Sequence, residues 1–259
     1  MFQHQGPSRS NHQNRLVAGY LALIGGFVNS AGFLLIGSFT SHVTGNVGRV
    51  ANDLAAMDFH AAAAALTMIV AFFAGAFAAS MAIESDFFGK VAYAYSFALF
   101  CEGALLVVFM LLSRLTTTEH PRVQDAEAAI LCAAMGMQNS LVTRLSGAVV
   151  RTTHLTGVVT DLGIEAARWF RWWRGTLAER VHMRLSFGHL SREKPAIVKI
   201  ALLGTIAGSF MAGAVAGASI VAHLHHVTML IPAVGLFACA IYAFSNGRGA
   251  HARAPDSRG

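Results

Sequence analysis

Six long apolar runs limit this chain more than any other feature. They fall at roughly 16–38, 60–83, 91–113, 126–143, 196–222 and 227–245. About 20 consecutive apolar residues cover the hydrocarbon core of a bilayer as a helix. Only 12% of the 259 residues are charged and 55% are hydrophobic, and mean hydropathy is +0.54; soluble domains carry about 25% charged residues. The expected fold is therefore an all-α integral membrane protein of about six transmembrane helices. The fourth and sixth runs are the weakest, being short or polar at one end. Residues 1–15 are polar and the first run is long enough to span, so no cleavable signal is expected there.

The basic residues orient the spans. With both termini in the cytoplasm, the outer loops hold only Arg49, Arg114 and Arg122, and the other sixteen of the nineteen Lys and Arg lie inside. This is the positive-inside pattern. The net charge of +6 then reflects topology, and no nucleic-acid-binding motif accompanies it. The expected location is a bacterial inner membrane, with a polar cytoplasmic tail at 1–15, a membrane domain at 16–245 and a disordered tail at 246–259.

One polar phrase occurs twice between the apolar runs. Ser41-His42-Val43-Thr44-Gly45-Asn46-Val47 matches Thr153-His154-Leu155-Thr156-Gly157-Val158-Val159. Each copy follows an Asn-Ser pair, Asn29-Ser30 or Asn139-Ser140, and Phe72-Phe73-Ala74-Gly75-Ala76 lines up with Phe210-Met211-Ala212-Gly213-Ala214. Two halves follow, repeat one at 16–113 and repeat two at 126–245. Each holds three spans, an odd number, so the second half enters the membrane inverted. Inverted repeats build several transporter folds with a site where the halves meet. The opposing reading is that both phrases are surface turns inherited by duplication.

The segment after each histidine predicts a short amphipathic or re-entrant helix. Val43, Val47, Val50 and Leu54 make one apolar stripe; Leu155, Val158, Val159, Leu162 and Ala166 make the other. Asn46, Arg49 and Asp53, and Thr160, Asp161, Glu165 and Arg168, form the polar sides. Ser41 and Thr153 are placed to cap these helices. Two placements are open: flat at the interface, or re-entrant, with both positive helix ends aimed at a cavity.

The candidate binding set for a small solute is Asn29, His42, Thr44, Asn46, Asn139, His154, Thr156 and Asp161. Asn29 and Asn139 carry amide groups that hydrocarbon cannot satisfy; the plainer reading is interhelical hydrogen bonding. Glu102, in the middle of the third run, is costly as a charge and is the candidate for proton coupling. His42 and His154 titrate near neutrality and suit a proton relay, a ligand contact or a structural tie. Cys101, Cys132 and Cys239 lack metal spacing and read as packing residues. His223, His225 and His226 have no carboxylate or thiol beside them in sequence, so neither metal nor cofactor is expected. The small-residue faces of the second and fifth runs, around Gly75 and Gly213, let helices approach closely. No catalytic motif is present, so the chain is not expected to be an enzyme. The stretch Arg168-Trp169-Phe170-Arg171-Trp172-Trp173-Arg174 has the composition of a headgroup anchor.

The stretch Gly25-Gly26-Phe27-Val28-Asn29-Ser30-Ala31-Gly32-Phe33, followed by Phe39-Thr40-Ser41-His42-Val43-Thr44-Gly45-Asn46, resembles the YoaK-like family of bacterial membrane proteins. So does Gly136-Met137-Gln138-Asn139-Ser140-Leu141-Val142 with Val150-Arg151-Thr152-Thr153-His154-Leu155-Thr156-Gly157-Val158-Val159-Thr160-Asp161-Leu162-Gly163. The resemblance covers about 16–245 and implies a multi-pass inner-membrane protein of unassigned function, without naming site residues. Two functions are weighed. One is a secondary transporter or exporter of a small anionic or zwitterionic solute. The other is a non-transporting protein that binds lipid or a partner through 168–174. Expected partners are membrane lipids and a small solute, with a homo-oligomer left open and nucleic acid excluded.

Overall fold

The computed structural model describes residues 11–115, 121–145, 155–180 and 197–249, and these are all helix, turn or short link, with no strand. Among the described residues eight α-helices follow one another: α1 (Asn11–Ile36), α2 (Val43–Ala55), α3 (Phe59–Glu84), α4 (Val91–Leu115), α5 (Pro121–Leu145), α6 (Leu155–Arg180), α7 (Ile197–Leu224) and α8 (Leu230–Gly249). Tight 3-10 turns at Asp86–Phe88 and His225–Met229 join α3 to α4 and α7 to α8.

Four stretches are long and apolar enough to cross a membrane: Arg15–Ile36, Phe59–Glu84, Val91–Leu115 and Ile197–Ser245. The last is 49 residues long and contains both α7 and α8. Their outward faces are apolar, with Phe73, Phe77, Met211, Val215, Val234 and Ile241 all exposed. Large apolar side chains on the outside of a bundle match a hydrocarbon solvent. The protein is thus a helical membrane protein.

Helix α5, where sequence predicts a span at 126–143, is 25 residues long but falls outside that apolar set. Arg122, Asp125, Glu127, Gln138, Asn139 and Arg144 lower its hydropathy. The bundle compensates for them. α5 packs against α1, α3 and α4, and Leu131, Met135 and Leu141 are fully enclosed. Gln138, with no exposed surface, donates from Nε2 to the Leu21 carbonyl at 3.1 Å.

Three helix pairs make the core: α1 with α7, α3 with α5, and α4 with α8. The first two cross where glycine replaces a side chain. A methyl on Gly26 would run into the Phe210 carbonyl, and one on Gly213 into the Leu23 carbonyl. A methyl on Gly136 would likewise run into the Phe72 carbonyl, and one on Gly75 into that of Ala133. Gly26 and Gly136 each precede the paired asparagines Asn29 and Asn139 by one turn, and Phe72 and Phe210 are aligned in the repeat. The two crossings therefore use matching residues.

Contacts along the helices give their directions. Gly19 meets Thr205 and Gly217 meets Phe27, so α1 and α7 run parallel. His60 meets Asp125, Ser80 bonds Ser140 at 2.7 Å, and Glu84 pairs with Arg144, so α3 and α5 also run parallel. Leu21 lies beside Gln138 and Gly32 beside Leu131, making α1 and α5 antiparallel. Tyr93 meets Phe244, Ser96 bonds the Ala240 carbonyl at 2.7 Å, and Phe100 meets Phe237, making α4 and α8 antiparallel.

Several boundaries differ from the sequence expectation. The amphipathic segment after the second phrase and the basic aromatic stretch 168–174 are not separate pieces but form one 26-residue helix, α6. Its final turns hold a run of good helix formers, Leu177 to Arg180, that extends the pattern. The residue at the α2 N-cap is His42 and no side chain caps there; Ser41 uses its hydroxyl elsewhere. Helix α8 runs on to Gly249, so residues 246–249 of the expected disordered tail are helical. The tails at 1–10 and 250–259 lie outside the described residues, as do Thr153 and His154.

Candidate functional site

α1 ends at Ile36, and Gly37 in the left-handed region (φ 70°) turns the chain back along the bundle. That return brings Ser41 to Asn29. The Asn29 Oδ1 accepts the Ser41 N–H at 3.2 Å and the Ser41 Oγ–H at 2.9 Å. The Asn-Ser pair and the later phrase are thus physically joined in the first copy. His42 follows, exposed, with its ring folded over the first turn of α2. A methyl on Gly45 would collide with that ring, which accounts for the glycine three residues after the histidine. Thr44 is exposed on the same turn, and Asn46 is buried at 5% exposure.

In the second copy Asn139 is buried and its Nδ2 donates to the Met135 carbonyl at 3.0 Å. Thr156 is exposed on the first turn of α6, and its carbonyl accepts the Thr160 hydroxyl at 2.8 Å. Asp161 is half-buried, 3.5 Å from Lys199 Nζ. His154 lies outside the described residues.

Asn29 and Asn139 are not brought together. Each lies one to two turns before the C-terminal end of its helix, and α1 and α5 are antiparallel, so the asparagines sit toward opposite ends of the bundle. Sequence concealed this because no local pattern reports helix direction.

The faces of α2 and α6 are turned unexpectedly. Val47 and Leu54 are exposed, while Asn46 is buried and Val43, Val50 and Asp53 are half-buried. On α6, Val159 is exposed, Val158 and Glu165 are buried, and Leu162 packs on the core. The inward stripes are therefore Asn46–Val50–Asp53 and Val158–Leu162–Glu165, at matching places in the two copies. Both carry an acid. The Asp53 Oδ2 is buried with no hydrogen-bond partner among the described residues. Glu165, at 1% exposure, pairs with Arg168 at 2.9 Å and Lys199 at 3.3 Å.

Glu102 is 1% exposed in the middle of α4, and its Oε2 has no partner among the described residues. The helix places it against α8, where Phe237 packs over Gly103. A carboxyl enclosed in this way is costly when charged. Among the described residues no three His, Cys, Asp or Glu side chains converge as a metal site would need.

Sequence reasoning missed one polar cluster. Glu127 of α5 is buried at 6% exposure and accepts the Ser113 hydroxyl of α4 at 2.7 Å. His226, in the turn between α7 and α8, is within electrostatic reach of Glu127, and its ring lies tilted against that of Phe109, centroids 6.2 Å apart. The signal was the acid six residues into α5, at the edge of the weakest apolar run.

These features define, among the described residues, a helical bundle of the membrane-protein kind, with apolar helices of spanning length and carboxylates enclosed between them. Residues 17–242 match the family DUF1275, proteins of unknown function, and the chain belongs to that family. No curated protein and no solved structure matches it.

Proposed function

We propose that the protein is a secondary transporter or exporter of a small anionic or zwitterionic solute, with six spans in two inverted halves. The observation that carries this reading is Glu102: a carboxyl fully enclosed at mid-helix, with an oxygen left unpartnered. Such a group takes up and releases a proton when the packing around it changes. Support for the inverted halves comes from direction. The repeat-related helices α1 and α5, and α4 and α8, run antiparallel, while the α1–α7 and α3–α5 crossings use matching glycines. The solute passes between the halves, with Asn29–Ser41 and His42 at one end and Asn139 and Asp161 at the other. Thr44, Asn46 and Thr156 belong to the same two ends, and the proposed solute set also includes His154, which lies outside the described residues. The inward acids of α2 and α6 and their exposed apolar faces favour helices half-sunk in the membrane over helices lying in water. The basic-residue bias supports cytoplasmic termini, and on this reading the membrane is a bacterial inner membrane.

The test is solute flux into proteoliposomes under an imposed pH gradient. Wild type should show flux that collapses with the gradient, and Glu102→Gln should lose the coupling while remaining monodisperse. Absence of flux across a broad panel of anions and zwitterions, or a Glu102→Gln variant with intact coupling, would sink the reading.

A second reading has its own observation. Trp169, Phe170, Trp172 and Trp173 are all exposed on α6, with Trp169 and Trp173 stacked 6.3 Å apart. In this reading α6 docks on lipid headgroups and the protein does not transport. Replacing Arg168, Arg171 and Arg174 by Gln would then abolish cellular activity, and His42→Ala would leave it unchanged.

A further inference from the structure

Helices α5 and α8 each pack on both α1 and α4, which closes a ring of four helices around the middle of the bundle. Their registers meet at one depth. Ser113, near the end of α4, bonds Glu127, near the start of α5, at 2.7 Å, so these packed helices run antiparallel. About three turns back from Ser113 is Glu102, and the same distance on from Glu127 is Gln138. On the other side of α4, Ser96 with Ala240 and Phe100 with Phe237 set the register of α8 and carry Glu102 to the level of Gly235. A methyl on Gly235 would meet the Tyr20 hydroxyl of α1. The next residue of α1, Leu21, offers its carbonyl to Gln138 Nε2 at 3.1 Å. Glu102 and Gln138 thus reach the same depth by both routes around the ring.

Both side chains are enclosed, at 1% and 0% exposure. Each has one oxygen with no hydrogen-bond partner among the described residues, Oε2 of Glu102 and Oε1 of Gln138. The Leu21 carbonyl can only accept, so it fixes the amide with Nε2 toward α1 and Oε1 as an acceptor. Two unsatisfied acceptors at one depth lack a single hydrogen between them.

We propose that Glu102 and Gln138 bind one proton between them. Protonated Glu102 donates from Oε2 to Gln138 Oε1, and Gln138 donates to the Leu21 carbonyl, so a chain of hydrogen bonds links α4, α5 and α1. Loss of the proton sets a carboxylate against the amide oxygen. The amide then turns Nε2 toward the carboxylate, and the Leu21 carbonyl loses its donor, so α1 registers the charge on Glu102. The titratable groups facing Glu102 are Tyr20 on α1, Cys239 on α8, and Tyr95 and Cys101 on α4 itself. Cys132 of α5 packs instead on Met68 of α3. The Lys, Arg, Asp and other Glu residues described on these helices, and the histidines of the α7–α8 turn, lie toward the helix ends. No cation among them holds the carboxylate charged. The proposal rests on the transport reading for its role in coupling, but not for its existence.

The test is infrared spectroscopy of the purified full chain in lipid vesicles at neutral pH. Wild type should show the carbonyl stretch of a protonated, hydrogen-bonded carboxyl that disappears in Glu102→Gln. In Gln138→Leu that band should move to higher frequency, as for a carboxyl without an acceptor, and in Tyr20→Phe it should stay in place. Should Gln138→Leu fail to fold, Gln138→Met removes the same acceptor and should give the same shift. Absence of the band from wild type would show Glu102 charged and overturn the site. A band left in place by the Gln138 variants, or moved by Tyr20→Phe instead, would overturn Gln138 as the acceptor. A shifted band without any solute flux would keep the proton site and remove the transport reading; proton-coupled flux with an unmoved band would do the reverse.

Discussion

The Glu165 carboxylate, almost wholly buried, lies 3.3 Å from the Lys199 ammonium and so ties α6 to the start of α7. Among the described residues the first copy has no such tie. Its inward acid is Asp53, and the position matching Lys199 in α3 is Ala61. Lys199 also reaches Asp161 at 3.5 Å, so one cation serves two acids. Lys199→Met should cost about 1–2 kcal/mol, less than the loss of a fully buried pair because Arg168 remains and Lys199 is partly exposed. Thermal denaturation of the purified protein at neutral pH checks this, with Lys199→Arg expected near wild type. An unchanged Lys199→Met midpoint would mean the tie contributes nothing.

The glycine crossings make a paired prediction. Gly26→Ala and Gly136→Ala each force a methyl toward a backbone carbonyl, and neither helix yields without moving as a body. Overpacking of this kind costs about 1–3 kcal/mol, and the two variants should lose similar stability. Gly208→Ala, with open space around it, should be neutral or slightly stabilising, since alanine favours helix over glycine by about 1 kcal/mol. Unequal losses at Gly26 and Gly136 would show that the crossings, though matched in residues, are not matched in energy.

Asn29 holds the chain between α1 and α2 through two hydrogen bonds to Ser41. Asn29→Ala should speed hydrogen exchange at the Ser41 amide by the equivalent of about 1 kcal/mol. Asn29→Asp keeps an acceptor and should restore protection. Exchange that stays slow in Asn29→Ala would show that the bend at Gly37 is held by packing alone.

Much of this fold was legible because the apolar runs are long and each occupies a single helix. Helix α5 was legible despite its charges, since Asn139 and the phrase after it announced the repeat. The facing of α2 and α6 was not. Periodicity separates the faces of a helix but does not say what each face meets. Val47 and Leu54 suggested a buried stripe, yet Asn46 and Asp53 turn inward. The Glu127 cluster was hidden for a different reason. Its members come from α4, α5 and the α7–α8 turn, and Ser113 and His226 gain meaning only beside a carboxylate that the sequence places far from His226. The separation of Asn29 from Asn139 likewise depends on helix direction, which no local pattern reports.

All three tryptophans of the chain, Trp169, Trp172 and Trp173, are on α6 and exposed. Intrinsic tryptophan fluorescence therefore reports on this one helix. Tryptophan favours the headgroup level, where its ring is half in hydrocarbon and its N–H remains hydrated. With Arg168, Arg171 and Arg174 on the same helix, α6 should lie at that level rather than in bulk water. In vesicles of brominated lipid, bromines high on the acyl chain should quench the emission more than bromines near its end, and an aqueous quencher should act only weakly. Strong aqueous quenching with no effect of bromine depth would place α6 off the membrane and remove the basis for any lipid contact along this face.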